Sequence, residues 1–194
     1  MLIVSTDKDA VEAELKTGLL KCPICGSPLR PWGYGVLREI RLRSSSDHRR
    51  FRRSICKHCH TTHILVEEDT LLRRRHSVEV IGAALVAKSK GKGHRSIARD
   101  LDIAASTVRG WLRRFATIAD VIREYFVRFA NTIDPSHDSR PVGGSPFLDA
   151  IEAIGMFAIV SVRRFGPKPP WLLVSFATGG RLLCNTSEPL LVPI

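Results

Sequence analysis

The sequence lacks any apolar run long enough to cross a lipid bilayer. The longest runs, around Ile154–Val162 and Trp171–Thr178, are far shorter than the roughly 20 residues that a membrane-spanning helix needs. No secretory signal precedes Cys22. We therefore expect no membrane partner and a cytoplasmic, nucleoid-associated location in a reducing compartment.

Cysteine is also scarce, and its spacing argues against a disulfide framework. The chain has five cysteines, of which four form two Cys-x-x-Cys pairs, Cys22/Cys25 and Cys56/Cys59. Pairs at this separation are typical of metal ligands. A redox pair would need to begin a helix in a βαβ setting, and neither pair has that setting. Cys184 stands alone in an apolar stretch, where we expect a small buried residue.

Acidic residues are few, with 19 Asp and Glu against 30 Lys and Arg and a net charge of +11. Residues 21–60 contain ten basic and two acidic residues, and residues 71–116 contain eleven and three. Residues 117–194 contain seven of each. A surface that is basic only for solubility is the alternative, but it would not leave the last third neutral. The distribution favours a polyanionic partner for the first two-thirds of the chain.

The two cysteine pairs predict a zinc site. Each pair forms a tight knuckle, and Gly26 after the first pair suits a turn that needs a positive φ. Strand-like sequence bridges the knuckles, which is typical of a zinc ribbon. Four thiolates close a tetrahedral site and leave no open position for water, so we expect one structural Zn²⁺. Its predicted ligands are Cys22, Cys25, Cys56 and Cys59.

Three histidines lie near the second pair. His58 lies inside the knuckle and should point away from the metal, and we expect His63 at the surface or behind the ligands. His60 is the strongest candidate for replacing a cysteine.

The segment from Gly93 to Phe115, GHRSIARDLDIAASTVRGWLRRF, predicts a helix-turn-helix. Helices are expected at about 94–101 and 105–131, with Ala98 at their crossing and Ile103 filling the turn. A helical hairpin with a basic outer face is the alternative. The residues predicted to face inward are Ile97, Ala98, Leu101, Val108, Trp111, Leu112 and Phe115.

The opposite face of the second helix is the predicted DNA-reading surface. Ser106, Arg109 and Arg113 share one side by helical spacing, and Gly110 keeps that surface low enough to enter a groove. An arginine there can bind guanine through O6 and N7. We expect phosphate contacts, which set register and carry no sequence information, from other residues. These are Thr107, His94, Arg95 and Arg114 in the helices and Arg49, Arg50, Arg52 and Arg53 in the ribbon.

The whole pattern predicts an α+β chain in three parts. Residues 1–66 are expected to form a short helix and a zinc ribbon of antiparallel strands. Residues 67–76 read as a linker, and residues 77–131 as a mainly helical helix-turn-helix domain. A proline- and glycine-containing loop precedes 147–194, a short α/β extension of unknown role. We expect a helix over 147–162 and one or two strands over 171–184.

These residues resemble the zinc-ribbon plus helix-turn-helix proteins of bacterial insertion sequences, such as the small InsA-type regulators. The shared pattern is CPxC, then the basic stretch HRRFRRSIC, then CxxCxxT at Cys56, Cys59 and Thr62, then a helix-turn-helix with TVRGWL. It covers about residues 20–115. The gap between the knuckles is longer here, and residues 132–194 lie outside the shared pattern. The resemblance implies DNA binding at element ends or regulation of a transposase.

We expect no catalysis. A transposase core needs three spaced carboxylates on an RNase H-like sheet, and too few residues follow the long helix for that fold. The predicted partner is double-stranded DNA, and a transposase, a recombinase and a second copy of the chain are further candidates. One alternative is a recruitment factor for a transposase or recombinase. Another is an RNA-binding ribbon with Trp32, Tyr34 and Phe51 stacking on bases, although strand aromatics are more often core residues.

Overall fold

The computed structural model describes residues 1–136 and 143–184, and in these residues the chain is α+β. A four-stranded mixed sheet comes first, and six of the seven helices follow it. No helix in the described part of the chain is long and apolar enough to cross a membrane. The elements are β1 (Leu2–Val4), α1 (Lys8–Thr17), β2 (Leu29–Arg41), β3 (Ser46–Cys56), β4 (Thr62–Glu67), α2 (Val78–Ser89), α3 (His94–Leu101), α4 (Ala105–Thr117), α5 (Ala119–Ile133), α6 (Pro146–Phe165) and α7 (Pro170–Ala177).

The sheet has the strand order β1-β4-β3-β2. β1 pairs with β4 in parallel, whereas the other two pairings are antiparallel. The register between β2 and β3 shifts twice, once on each side of Tyr34, which lies opposite Arg52. β2 is an edge strand, so one of its sides has no strand partner in the described residues.

Local sequence signals explain α1. The side chain of Asp7 accepts hydrogen bonds from the backbone N–H groups of Asp9 and Ala10, and Gly18 ends the helix at φ 72°. Val11 and Leu15, four residues apart, are buried against one face of the sheet. The predicted N-terminal helix is therefore confirmed.

The other face of the sheet has a separate core. Phe51 is buried there with Ile40, Val66 and Leu72. Phe51 is consequently not a surface aromatic that could stack on a base, because its ring fills the space between the sheet and the chain that follows β4.

Residues 67–76 pack between the sheet and the helices instead of forming an exposed linker. Leu71, Leu72 and His76 are buried, and the backbone N–H of Leu72 donates to the carbonyl of Gly180 at 2.9 Å. The charged residues at 67–69 and 73–75 suggested a linker, but the two leucines between them supply apolar surface that the fold buries.

Helices α2 to α7 share one apolar core. α5 and α6 pack along each other, with the rings of Phe126 and Phe157 centred 5.0 Å apart. The ring of Phe115 on α4 lies 4.7 Å from that of Phe147 on α6. The described residues after 143 therefore complete the core around the predicted DNA-binding helices.

Two predicted elements differ from the structure. The helix predicted over 105–131 is broken at Ile118 into α4 and α5. The apolar stripe before the break packs on α2 and α3, and the stripe after it packs on α6. The strands predicted over 171–184 are wrong, because residues 170–177 form α7. A short apolar run does not by its pattern distinguish a strand from a buried helix. Pro170 lies in the first turn of α7, where its missing N–H costs nothing, and Gly179 and Gly180 follow with positive φ.

The helix predicted over 147–162 is confirmed as α6. The hydroxyl of Ser145 accepts a hydrogen bond from the backbone N–H of Leu148 at 3.3 Å and caps its first turn. Over its described residues the extension thus consists of α6, α7 and turns, and residues 185–194 lie outside the described part of the chain.

Candidate metal centre and nucleic-acid interface

The four cysteines predicted as metal ligands meet at one point. Their sulfur atoms all lie within 4.8 Å of one another. The Sγ atoms of Cys22 and Cys59 are 3.6 Å apart, and those of Cys25 and Cys56 are 3.4 Å apart. A tetrahedron with metal–sulfur bonds of about 2.3 Å has edges of about 3.8 Å, which is close to these separations. The cluster could therefore bind a metal ion.

Two loops with the same backbone turn build the cluster. In the first, the N–H of Gly26 donates to the carbonyl of Cys22 at 2.8 Å, and Gly26 has φ 71°. In the second, His60 takes the equivalent position, directly after the second cysteine, with φ 56°. His60 is exposed and is not one of the clustered residues, so it does not replace a cysteine there.

His63 was expected at the surface or behind the ligands, and it lies buried behind them. It occupies β4 opposite Ser54 on β3, and its Nε2 is 3.4 Å from the Sγ of Cys22. Burial lowers the pKa of His63 below its ordinary value. A neutral imidazole can donate its Nε2–H to the sulfur, which orients Cys22 from behind.

The pKa values of the cysteines differ with their hydrogen bonds. The hydroxyl and the backbone N–H of Thr61 lower the pKa of Cys59 to about 6. The backbone N–H and the hydroxyl of Ser27 also lower the pKa of Cys25. The backbone N–H of Cys59 acts on Cys56 in the same direction, but burial and the sulfur of Cys25 outweigh it and raise the pKa of Cys56 to about 11. Two loop cysteines thus favour the thiolate that a metal requires.

The second candidate site is the pair of helices α3 and α4. α3 ends at Leu101, Asp102 follows at φ 52°, and the N–H of Ile103 donates to the carbonyl of Ala98 at 2.9 Å. Three residues, 102–104, therefore join the helices. Six of the residues predicted to face inward from these two helices are buried, which confirms that prediction for them: Ile97, Ala98, Val108, Trp111, Leu112 and Phe115.

The outer face of α4 is open. Ser106, Arg109, Gly110 and Arg113 are all exposed. Within the described residues, the guanidinium groups of Arg109 and Arg113 have no hydrogen-bond or ion-pair partner, although the backbone carbonyl of Arg113 accepts from the Thr117 hydroxyl. A Cβ atom at Gly110 would meet no atom within 4 Å. The structure therefore brings the predicted base-reading residues together on one side of one helix.

The four helix residues predicted to contact phosphates differ in whether they are accessible. Arg95 is exposed, whereas His94 and Thr107 are half-buried. Arg114 is turned inward, and its Nη2 donates to the carbonyl of Cys184 at 2.6 Å. Successive residues turn about 100° around a helix, so Arg114 lies between the outer face and the buried Trp111. We therefore correct its role from phosphate contact to an anchor for the C-terminal chain.

The four arginines predicted to contact phosphates from β3 also differ in whether they are accessible. Arg49 is ion-paired with Asp47, Glu67 and Asp69 at 2.5–2.8 Å. Burial alone would lower the pKa of Arg49, but hydrogen bonds to Asp47 and Asp69 raise it above its ordinary value. Arg52 forms an ion pair with Glu12 of α1.

These two arginines stabilise the sheet and are not available as phosphate ligands. Arg50 is exposed, and Arg53 makes one long contact, 3.5 Å, to the hydroxyl of Thr62. Of the four arginines predicted to contact phosphate from the ribbon, Arg50 and Arg53 are the ones that remain accessible.

The comparisons with known proteins assign no relative, because no family model, no curated protein and no solved structure matches the chain. A functional proposal therefore depends on the geometry of these two sites and on the motifs of the sequence.

The N-terminus of α4 lacks a side-chain cap, as the alanine at its N-cap position predicts. Ala104 has φ −54° and ψ 129°, and it makes no side-chain capping hydrogen bond. We expect Ala104→Ser to raise the free energy of unfolding by about 1 kcal/mol, because a serine hydroxyl can accept from an N–H of the first turn. Urea unfolding monitored by circular dichroism measures this. Ala116→Ser, exposed near the end of the same helix, is the control and should not stabilise.

Proposed function

We propose that the chain is a sequence-specific, duplex-DNA-binding protein that contains one structural zinc ion. In this proposal α3 and α4 form a helix-turn-helix, and α4 is the recognition helix. The observation that carries it is the outer face of α4, opposite a stripe of buried apolar residues. The side chains of Arg109 and Arg113 are exposed there and have no hydrogen-bond or ion-pair partner among the described residues.

The dimensions of the helix pair support this role. A three-residue turn is typical of the motif, whose second helix enters the major groove with its N-terminal residues at the base edges. Ser106 and Arg109 lie in the first turns of α4, and Gly110 leaves the surface between the arginines low. The end of α2 and the turn after it carry the exposed Lys88 and Lys90, and Arg95 is exposed in the first turn of α3, whereas Lys92 is ion-paired with Asp100 at 2.9 Å.

The cysteine cluster supports zinc as the metal. Four thiolates in a tetrahedral arrangement are a ligand set that zinc prefers, and a site with four protein ligands is structural. The ion would join the loop before β2 to the loop between β3 and β4. The zinc would then hold the sheet together while the helices bind DNA.

The resemblance to the proteins of bacterial insertion sequences suggests the biological setting. We propose that the DNA target belongs to a transposable element and that the chain acts by binding, as an accessory factor or a regulator of a transposase. The order of the cysteine pairs, the basic β3 stretch and the TVRGWL segment supports this part of the proposal.

Selection of bound sequences from random duplex DNA, at physiological salt with zinc retained, tests the proposal. We expect a defined motif for the unaltered chain. Arg109→Ala and Arg113→Ala should each cost about 1–3 kcal/mol on that motif and relax the preference at one position. Arg50→Ala should weaken all duplexes about equally and reduce the slope of log affinity against log salt by about 1.

The control for charge alone is Arg163→Ala, since Arg163 is an exposed arginine on α6. It should leave both the selected motif and the affinity nearly unchanged. Equal effects of the Arg109, Arg113 and Arg163 substitutions would show that α4 does not read sequence.

A further inference from the structure

The edge strand β2 exposes an unusual amount of apolar surface. The exposed fractions of Trp32, Tyr34, Val36 and Leu37 are 53%, 59%, 72% and 55%. Edge strands of folded proteins usually carry charges or bulges that keep them from pairing with other chains. A contiguous apolar stretch at such an edge marks a surface that binds something.

The ring of Tyr34 is held in place from one side. The guanidinium of Arg52 lies 4.7 Å from the ring centroid, which is a cation–π contact. Arg52 is itself fixed, since it is ion-paired with Glu12 and its Nη1 donates to the carbonyl of Gly33 at 2.7 Å. Tyr34 therefore presents a pre-oriented ring whose other surface is accessible, and a flat ligand could stack there without first ordering the side chain.

The backbone around the two aromatic residues keeps them clear of neighbours. The register with β3 shifts between Pro31 and Tyr34 and again between Tyr34 and Leu37. Such irregularities at sheet edges re-aim side chains. Gly33 lies between the aromatic residues with φ 85°, and a Cβ atom there would meet nothing within 4 Å. No side chain separates the two rings along the strand.

Charge identifies the kind of ligand. Residues 29–56 contain eight arginines and two acidic residues. A second copy of the chain paired along β2 would place two such basic hairpins side by side, which like-charge repulsion disfavours. A polyanion is complementary to the surface. Arg30, Arg38 and Arg50 are exposed beside the apolar stretch, and Arg50 lies directly opposite Leu37.

We propose that β2 and β3 form a binding site for single-stranded nucleic acid. Unpaired bases stack on Trp32 and Tyr34, and the exposed arginines of the hairpin bind the phosphates. Bases in a duplex are already stacked on each other, so this surface selects unpaired bases, whereas α4 suits a duplex groove. The site is separate from α4 and does not depend on the helix-turn-helix proposal, although it shares Arg50 with the duplex phosphate contacts proposed above.

The intrinsic fluorescence of the zinc-loaded full chain provides a direct test. Trp32 is exposed, whereas Trp111 and Trp171 are buried, so a stacked base should quench mainly Trp32. We expect oligothymidine or oligouridine of about 12 nucleotides, within the usual range of site sizes, to quench the emission with saturation. Comparing oligothymidine with oligouridine shows whether DNA or RNA is preferred. The absence of binding to both oligonucleotides would refute the proposal.

Variants separate stacking from other effects, with affinity measured by the anisotropy of a labelled oligonucleotide. Each aromatic-to-alanine change should weaken single-strand binding roughly 5- to 150-fold, and Trp32→Ala/Tyr34→Ala should leave duplex affinity within about 2-fold. Trp32→Phe/Tyr34→Phe retains two rings and should restore most of the affinity. Val36→Thr/Leu37→Thr is the matched control on the same strand and should have little effect. Zinc content and circular dichroism verify folding.

Three results would overturn the proposal. One is an unchanged single-strand affinity for the double alanine variant. A second is an equal loss for the Val36/Leu37 control, which would indicate a general apolar surface. The third is a dimer, detected by sedimentation, that the double alanine variant converts to monomer without loss of single-strand affinity, because β2 would then be a contact between copies.

Discussion

Cys56→Ser is expected to abolish stoichiometric zinc binding and to unfold the sheet. The sulfur of Cys56 is buried at the end of β3, 3.4 Å from that of Cys25, so its loss removes one of the four ligands that would hold the metal between the two knuckles. Structural zinc in small peptides contributes an apparent 10–16 kcal/mol, on the order of the whole stability of a domain. Without the ion, the sheet has two small apolar clusters to stabilise it.

Zinc content by atomic spectroscopy and thermal unfolding by circular dichroism measure this result. The unaltered chain should bind one zinc, and a chelator should reproduce the effect of Cys56→Ser. Cys184→Ser is the matched control, because Cys184 is a cysteine outside the cluster and should leave zinc content unchanged. If Cys56→Ser retained one tightly bound zinc and an unaltered melting curve, the four-cysteine site would be refuted.

Gly82→Ala should be the most damaging small substitution in the helical part. A Cβ atom at Gly82 on α2 would lie 2.1–2.3 Å from three atoms of the Trp171 indole on α7. Trp171 is buried, so the ring cannot swing into solvent without losing its packing. Overpacking a core typically costs 1–3 kcal/mol, and we expect a value of about 3 kcal/mol because both partners are rigid.

Gly155→Ala is a control of identical chemistry in the same fold. Gly155 is exposed within α6, and a Cβ atom there would meet nothing within 4 Å. It should stabilise the protein by about 0.5–1 kcal/mol, since alanine loses less backbone entropy than glycine in a helix. Urea denaturation compares the two. If Gly82→Ala also stabilised the protein, α7 would not pack on α2 as described.

A double-mutant cycle isolates the contact. Trp171→Leu removes the indole, and Gly82→Ala should cost much less in that background than alone.

The contact also affects how the DNA-binding proposal is tested. A chain shortened at residue 131 would lose α6 and α7 and expose the core of α2, α4 and α5, so point variants are the sounder choice.

The features that the sequence predicted correctly are local ones. The helical spacing of Val11 and Leu15 predicts α1, and the 3.6-residue spacing of Val108, Trp111 and Phe115 marks the buried stripe of α4. Two Cys-x-x-Cys pairs predicted the four clustered sulfurs because the spacing within each pair fixes a tight knuckle. The outward face of α4 then follows from helical geometry, since it lies opposite the stripe.

The errors have a different origin, because they concern partners distant in the sequence. The sequence by itself determined the cysteine pairs, the turn between α3 and α4 and the apolar periodicity, all of which depend on residues a few positions apart. Only the tertiary structure decided which arginines remain available. Arg52 is neutralised by Glu12, 40 residues away, and Arg114 is held by the carbonyl of Cys184, 70 residues away.

Contacts between residues distant in the sequence also decided which aromatic residues are exposed and why residues 170–177 form α7. Phe51 is buried and Tyr34 is exposed although both lie on neighbouring strands, because Leu72 and Ile40 cover one face of the sheet near Phe51. The apolar run after Pro170 is a helix because it packs against α2 and α6, not because of a period in its own residues. Burial depends on what the folded chain brings to each surface, and no local pattern contains that information.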